Sequence, residues 1–471
     1  MTHSSGTLPD AIRERIAMVR VLCIGFMIYV HVPDNAFSTL ASAGVPLPSL
    51  LLQGFVIEGV GRASAALLSL VSGLLTAVAL ARGDAPSLYR RRFRSIVVPM
   101  LLWSSLTVAL YALITVVRPT FLSPDGRSLP EALLYYANTV FFLSAQPMGP
   151  TLHLGFLRDL FACVLLAPLM LLALRRVGAL VPVAFGVLYL VDAESVLILR
   201  PLIPFAFSIG LWMAVRGARL DALDSAWPLW ISLSLLATLA VMLSGSEWGL
   251  GSAVALGFAE HGFDFRESVV YPISRLFGAL AIWTLAAKLV GTPWNARLAR
   301  LSSYVFVAFC SHFLVLTFLW EGAIRPLVGA GDTVGYALWF VVAPFVAMAA
   351  AVLIVEVAAR LVPALARLIT GGRVSAPSGL AASRRTAGAT NGGAPARESV
   401  ARASTGRAAV QGATASAPTS AGASAAAVDP ERRRTAATLA ARDSLVGTNE
   451  RRPDSPERAE IALETVADDD R

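Results

Sequence analysis

The chain contains few cysteines, few histidines and few charged residues. Its 471 residues include three cysteines and five histidines, and only 15% are charged. Cys23, Cys163 and Cys310 all lie inside apolar segments, and their spacing fits neither a metal site nor a disulfide framework. We therefore interpret the cysteines as packing residues, and no bound metal is expected.

Apolar residues, by contrast, are abundant. They make up 56% of the chain, and the mean hydropathy is +0.66. Apolar runs of about twenty residues recur, and a helix of that length crosses roughly 30 Å of hydrocarbon. This pattern predicts an all-α, polytopic transmembrane helix bundle rather than a very hydrophobic soluble helical protein. About ten spans are expected, near 17–35, 50–81, 95–117, 152–174, 177–192, 195–215, 228–245, 271–289, 301–321 and 334–362.

Two apolar segments do not fit a simple span. The second span is long for one helix, so its first part is either re-entrant or outside the membrane. The segment 130–147 is apolar but flanked by turn-forming residues, and we interpret it as interfacial or re-entrant.

The net charge of +8 does not indicate nucleic-acid binding, because the arginines cluster in short connections between apolar runs. Basic residues fall mainly in alternate connections, and cytoplasmic loops carry such an excess. This distribution predicts a multi-pass protein of the cell (inner or plasma) membrane, with a cytoplasmic leader at 1–16, a membrane domain at 17–365 and both termini in the cytoplasm.

The chain from residue 372 to 471 has a different composition. It contains no Phe, Tyr, Trp, Met or Cys and is rich in Ala, Gly, Ser, Thr and Pro. Such a segment cannot bury enough apolar surface to offset chain entropy. We predict a disordered cytoplasmic tail, whose acidic end "ADDDR" is either solvated or bound by a partner.

The first span carries two ionisable residues, one near each end. In "RVLCIGFMIYVH", Arg20 and His31 are separated by eleven helical steps, or about three turns, so they share one helix face. They lie about 16 Å apart along the axis, and Pro33 ends the helix soon afterwards. With Arg20 at the cytoplasmic boundary, His31 lies near mid-membrane, where an ionisable group usually marks a functional site.

A second histidine lies at a similar predicted depth. His312 follows Arg300 by twelve residues, which is about 18 Å in a helix running in the same direction. A single membrane histidine is often satisfied by a hydrogen bond between helices. Two at matched depth favour a functional pair.

Further polar residues are expected in the outer half of the membrane. Several cations at one depth indicate a polar cavity open to the outside, although a core of structural salt bridges has the same pattern. These residues are Glu58, Arg62, His153, Arg158, Asp159, Arg200 and Arg275.

The cytoplasmic connection "YRRRFRSIVVP" has two interpretations. Any membrane protein can carry such a cluster to set its orientation. Alternatively, Arg91, Arg92 and Arg94 form a docking patch for a polyanion such as a nucleotide diphosphate, which guanidinium groups bind well.

Six motifs occur along the chain in a distinctive order. They are Arg20 with His31, Arg62, Ser72 with Gly73, Arg91 with Arg94 before a proline, "HLGFLRDLFACVLLAPLM" and "LSSYVFVAFCSHFLVL". In this order they resemble the acyltransferase-3 family of bacterial integral membrane acyltransferases, over about residues 12–365. Gly155 departs from the tryptophan that is usual in the family's "His-Leu-Trp-Phe-Leu" helix.

The resemblance implies an enzyme that transfers an acyl group, commonly acetyl, from cytoplasmic acyl-CoA to a hydroxyl of a cell-surface or lipid-linked carbohydrate. No cofactor would be bound permanently, because acyl-CoA is a substrate. Partners would then be acyl-CoA, a glycan and membrane lipid. The residues assigned to these roles are His31 as general base or transient acyl carrier, His312 to assist it or to orient donor or acceptor, Arg20, Arg91, Arg92 and Arg94 for the donor, and Glu58, Arg62, His153 and Arg158 for the acceptor.

Two other functions are compatible with the pattern. A secondary transporter also lines its path with intramembrane charges, but the chain lacks paired halves with corresponding broken helices. A structural membrane protein could contain buried charges that only pair with each other.

Overall fold

The fold is known from a computed structural model that describes residues 9–33, 47–83, 85–117, 129–144, 151–193, 197–217, 222–243, 269–328 and 333–373. Every regular element in these ranges is helical, so the expected all-α class is confirmed. The predicted disordered tail lies outside the described residues from 374 onward, as do 145–147 of the predicted interfacial segment.

Within the described residues up to 217, the chain forms nine α-helices, interrupted by short π-helical or 3₁₀ turns. The helices are α1 (Asp10–Val30), α2 (Leu47–Gly54), α3 (Ala63–Ala81), α4 (Ala85–Arg92), α5 (Val98–Val117), α6 (Leu129–Phe141), α7 (Gly155–Val177), α8 (Leu180–Leu190) and α9 (Leu202–Arg216). α1 ends with His31 as its C-cap residue, two residues before Pro33, as the restriction on residues near proline predicts.

The second half contributes further helices within the described ranges. They are α10 (Ala222–Ser225), α11 (Trp227–Leu243), α12 (Tyr271–Leu289), α13 (Pro293–Leu301), α14 (Val305–Leu319), α15 (Arg325–Val328), α16 (Thr333–Leu361) and α17 (Pro363–Ile369). A proline in the first turn starts α12, α13 and α17, where its missing N–H leaves no helical hydrogen bond unmade.

A helix is present at each of the ten predicted spans, but the helices differ in length. In the described part of the chain, five helical runs are long and apolar enough to cross a membrane, and a sixth is counted if the sharply bent pair α12–α13 forms one span. Three more, α8, α9 and α11, are apolar but shorter. The first helix contains several charged residues, which an unbroken apolar span would exclude.

Within the described residues, three complete π-helical turns interrupt the helices, and each contains a charged residue. They comprise Phe55–Gly61, Phe93–Val97 and Trp320–Ile324. The first joins α2 to α3 within a continuous run, Leu51–Ala81, which explains the length of the second predicted span. π-Helical turns are frequent at functional sites, and this one contains Glu58.

The closest helix packing is between α3 and α9, which cross through glycines. A Cβ atom on Gly73 would overlap the carbonyl oxygen of Phe207, and one on Gly210 would overlap that of Leu70. Small residues allow two membrane helices to approach this closely. Gly73 of the Ser-Gly motif is therefore a packing residue.

Replacing Gly73 with alanine should force α3 and α9 apart and destabilise the protein by about 1–3 kcal/mol. The matched control is Gly25→Ala in α1, because no atom lies within 4 Å of a Cβ built there. Thermal unfolding of both purified variants in detergent would test this. Equal melting temperatures would contradict the packing role of Gly73.

Candidate active site

Three histidines from distant parts of the chain come together in the bundle. His31 caps α1, His153 lies in the 3₁₀ turn before α7, and His312 lies within α14. The ring centroids are 5.3 Å apart for His31 and His312, 5.9 Å for His31 and His153, and 4.6 Å for His153 and His312. The two histidines paired from the sequence are thus neighbours. His153, which the resemblance assigns to the acceptor, belongs to the same cluster.

Backbone carbonyls orient two of these imidazoles. His312 Nδ1 lies 2.7 Å from the Phe309 carbonyl oxygen, and His153 Nε2 lies 3.2 Å from that of Cys310. Because a carbonyl oxygen only accepts, these nitrogens carry the protons. His312 Nε2 and His153 Nδ1 are then the basic nitrogens, and both are buried without a hydrogen-bond partner in the described part of the chain.

Aromatic rings hold the histidine cluster in place. Phe313 stacks on His153 at 5.7 Å between centroids and meets the edge of His31 at 6.2 Å. Phe309 packs against both His153 and Phe156, at 5.8 and 5.9 Å. Such packing fixes ring orientation, which a group that must reach one particular substrate atom requires.

A cavity of about 350 Å³ opens beside His31 and His153, and we call it the histidine cavity. His31 is half-buried at its wall, whereas His312 is fully buried and does not line it. The other polar side chains that line it are Arg62, Tyr189, Asp192, Arg200 and Arg275.

The cationic side chains of this cavity are positioned by neighbouring acceptors. Arg62 Nε donates to Oε1 of buried Glu58 at 2.7 Å, and Arg275 Nη1 donates to the Tyr189 hydroxyl at 2.9 Å. Arg200 Nη2 donates to the Leu152 carbonyl at 2.9 Å. The expected polar cavity is therefore present, and Glu58 contributes to it through Arg62.

Arg158 lies outside the lining of the histidine cavity. Its Nη1 donates to Asp159 at 2.9 Å and to the Leu197 carbonyl at 3.2 Å. Asp159 in turn accepts the backbone N–H groups of Leu199 and Arg200. Arg158 and Asp159 thus fix the loop that brings Arg200 to the cavity.

Two further cavities lie towards the arginine-rich end of the bundle. The inner arginine cavity, of about 200 Å³, is lined by Arg20, Arg92 and Arg373 together with two serines and apolar residues. The arginine vestibule, of about 580 Å³, is lined by Arg13, Arg82, Arg91, Arg92 and Arg373. None of the described residues that line either cavity is acidic.

The three cavities share wall residues, so they form a row. Leu75, Arg92 and Arg373 line both the vestibule and the inner arginine cavity. Phe156 lines both the inner arginine cavity and the histidine cavity. Phe156 and Phe309 therefore separate the arginine side from the histidine side.

The donor-side arginines predicted from the sequence are only partly gathered here. Arg20, Arg91 and Arg92 line the arginine cavities, whereas Arg94 lines none of the three. Arg13, Arg82 and Arg373 also line these cavities, although in the sequence they resemble ordinary orientation-setting charges beside apolar runs. Desolvation lowers the pKa of Arg373 to about 10, so it remains charged at neutral pH.

This arrangement is suited to acid–base chemistry between an anionic and a neutral polar ligand. Neutral imidazoles accept protons near physiological pH, and a cluster of arginines binds phosphates. Within the described residues, no three His, Cys, Asp or Glu side chains are arranged to hold a metal ion.

Comparisons with known proteins agree on one family. The model of the acyltransferase-3 family, described as an acyltransferase domain, matches residues 13–356. The chain is also 28% identical over 370 residues to the succinoglycan biosynthesis protein ExoH of Rhizobium meliloti (strain 1021). That match covers 78% of this chain and 94% of the relative. No solved structure matches the chain.

Proposed function

The chain belongs to the acyltransferase-3 family and is a multi-pass membrane acyltransferase, and we propose that it transfers an acyl group from a coenzyme A thioester to a carbohydrate hydroxyl. The observation that carries this proposal is the row of three cavities. Arginines line one end, the histidine cluster adjoins the other, and two phenylalanines stand between them.

The arginine vestibule is the proposed binding site for the phosphates of the donor. Coenzyme A is a polyanion that cannot cross hydrocarbon, so its phosphates need a cationic site at the membrane boundary. Arg82, Arg91, Arg92 and Arg373 supply such a site, beside Arg13, which is paired with Asp10. We propose that this end faces the cytoplasm, as the distribution of basic loops predicts.

His31 is the proposed general base. A carbohydrate hydroxyl in the histidine cavity would lie beside its half-buried ring. His31 removes the hydroxyl proton as the oxygen attacks the thioester carbonyl. The carbon–sulfur bond then breaks, the ester forms, and the coenzyme A thiolate takes up the proton.

The proposed acceptor is a carbohydrate of the cell envelope, either at the surface or lipid-linked. The volume of the histidine cavity lies within the range of small-molecule sites, roughly 300–1,000 Å³. Its arginines, tyrosine and aspartate offer both hydrogen-bond donors and acceptors, as a ligand with many hydroxyls requires. A relative named for succinoglycan biosynthesis also supports a polysaccharide acceptor.

We propose acetyl as the transferred group, as the family resemblance implied. The test is a cell-free assay with membranes containing the protein, a cell-envelope glycan, and labelled acetyl-CoA or succinyl-CoA. Label in the glycan from acetyl-CoA, sensitive to alkali as an ester should be, is expected. Label from succinyl-CoA alone would replace the acetyl proposal, and label from neither would contradict the donor class.

Phe156 lies between the inner arginine cavity and the histidine cavity, and replacing it with alanine should join the two cavities. Water could then reach the thioester, so acyl-CoA hydrolysis without acceptor should rise about 3- to 10-fold, while transfer to glycan falls. Free thiol release measured with and without acceptor would test this. Leu165→Ala is the matched control, because Leu165 is an exposed residue of the same helix; equal hydrolysis in both variants would contradict the partition.

A further inference from the structure

The last described residues, after α17, form a turn that packs against the connection between α4 and α5. α17 is followed by Thr370, Gly371 and Gly372, and both glycines have positive φ angles, +61° and +77°. A Cβ on Gly371 would crowd the Ser95 carbonyl oxygen, so glycine is required for this close approach. The turn brings Arg373 to the connection between α4 and α5. Arg373 lies beyond residues 13–356, which the family model matches.

Arg373 is held firmly at that position. Its Nη1 donates to the carbonyl oxygens of Ser95 and Thr370, each at 2.9 Å. Its guanidinium carbon lies 3.7 Å from the ring centroid of Phe306, a residue of the helix that carries His312. Hydrogen bonds and cation–π contact therefore orient the guanidinium before any ligand binds.

Arg373 stands at the neck between the vestibule and the inner arginine cavity. Leu75 and Arg92 are the other residues common to both linings. The Nε atom of Arg92 is buried and has no hydrogen-bond partner within the described residues. A buried unpaired guanidinium nitrogen is costly, and the neighbouring Arg20 adds a further positive charge. An anionic ligand at the neck would satisfy these groups.

We propose that Arg373, together with Arg92, binds the diphosphate group of the acyl donor at this neck. The nucleotide end of the donor then stays in the vestibule, while the phosphate-free pantetheine arm extends through the inner arginine cavity towards Phe156. Planar guanidinium groups suit this role because each can donate two parallel hydrogen bonds to phosphate oxygens. The inference rests on the proposed function and adds a residue from outside the matched domain to the donor site.

The test compares two donors in the transfer assay: acetyl-CoA and acetyl-pantetheine, which lacks all phosphates. Arg373→Ala should raise the KM for acetyl-CoA about 10- to 100-fold, as expected for lost charge-assisted hydrogen bonds. The acceptor KM should stay within about twofold. With acetyl-pantetheine, wild type and variant should react equally, because that donor offers nothing for Arg373 to bind.

Two further variants separate binding from folding. Arg373→Gln retains a donor for the Ser95 and Thr370 carbonyls but lacks the charge, so it should show the same rise in KM. Arg367→Ala is the matched control, because Arg367 is an exposed arginine of α17 that lines none of the three cavities.

The outcomes distinguish this inference from the proposed function. If wild-type protein uses acetyl-CoA and the Arg373 variants keep its KM, the neck site is wrong while the function stands. If the variants lose acetyl-CoA and acetyl-pantetheine activity equally, Arg373 is a structural residue and the neck site is again wrong. If wild-type protein uses neither donor, the proposed function itself fails.

Discussion

Replacing His31 with alanine is expected to lower acyl transfer about 10²- to 10⁴-fold, the usual contribution of a general base. The reason is its position, since it is the half-buried member of the histidine cluster and lines the histidine cavity. The measurement is kcat/KM for glycan acylation, with protein amount determined in the same membranes. Activity within about threefold of wild type at normal abundance would contradict the role of His31.

Added imidazole offers a sharper form of the same test. The alanine variant leaves space beside an accessible cavity, so millimolar imidazole should restore part of the activity. No rescue is expected for alanine at His312, which is fully buried. The matched control on α1 is Tyr29→Phe, which loses only a hydrogen bond to the Val341 carbonyl and should remain active.

The same reaction distinguishes a base from an acyl carrier at position 31. A transient acyl carrier forms a labelled enzyme when acyl-CoA is supplied without acceptor. A general base gives no such label. Rapid quenching and mass spectrometry of the wild-type protein would show whether His31 carries the acyl group.

Replacing His312 with alanine is expected to lower acyl transfer about 10²-fold, mainly through the position and electrostatics of its neighbours. Its ring lies 5.3 Å from that of His31 and 4.6 Å from that of His153, between centroids. Its Nδ1 proton is committed to the Phe309 carbonyl, so only Nε2 is available to the cluster. Truncation removes that basic nitrogen and leaves a void behind both other rings.

A double-mutant cycle separates this role from a loss of stability. If His312 acts through His31, the His31→Ala/His312→Ala variant should be little slower than His31→Ala alone, because residues that act as a unit are non-additive. Fully additive losses would contradict the coupling. Ser311→Ala is the control, since its hydroxyl donates to the Val307 carbonyl of the same helix.

Local sequence patterns were sufficient to predict much of this site. The spacing of Arg20 and His31 is a property of one helix, and it predicts that the two residues share a helix face. In the structure Arg20 lines the inner arginine cavity and His31 lines the histidine cavity. The similar depth of His31 and His312 was predicted from the number of helical residues that separate each from its cytoplasmic arginine. Outer-half cations such as Arg62, Arg200 and Arg275 were likewise found from their place within apolar runs.

Other assignments depended on packing that sequence patterns do not contain. Arg94 has the right spacing in its motif. It lies in the π-helical turn Phe93–Val97, however, and its side chain lines none of the three cavities. Arg158 is adjacent to Asp159 in the sequence, but only the structure shows that it also donates to the Leu197 carbonyl and lies outside the lining of the histidine cavity. Arg373 resembled the start of a solvated tail, and only the turn at Gly371 and Gly372 brings it to Ser95.

The sequence by itself therefore determined that this protein is a helical membrane acyltransferase with histidines inside the bundle, because hydropathy, helical period and ordered motifs are properties of the chain alone. The tertiary structure decided that three histidines meet, that Phe156 divides the cavities, and that Arg373 reaches the neck. The physical reason is that those relations join residues up to hundreds of positions apart. Their distances depend on how side chains pack between helices, such as the glycine crossing of α3 and α9.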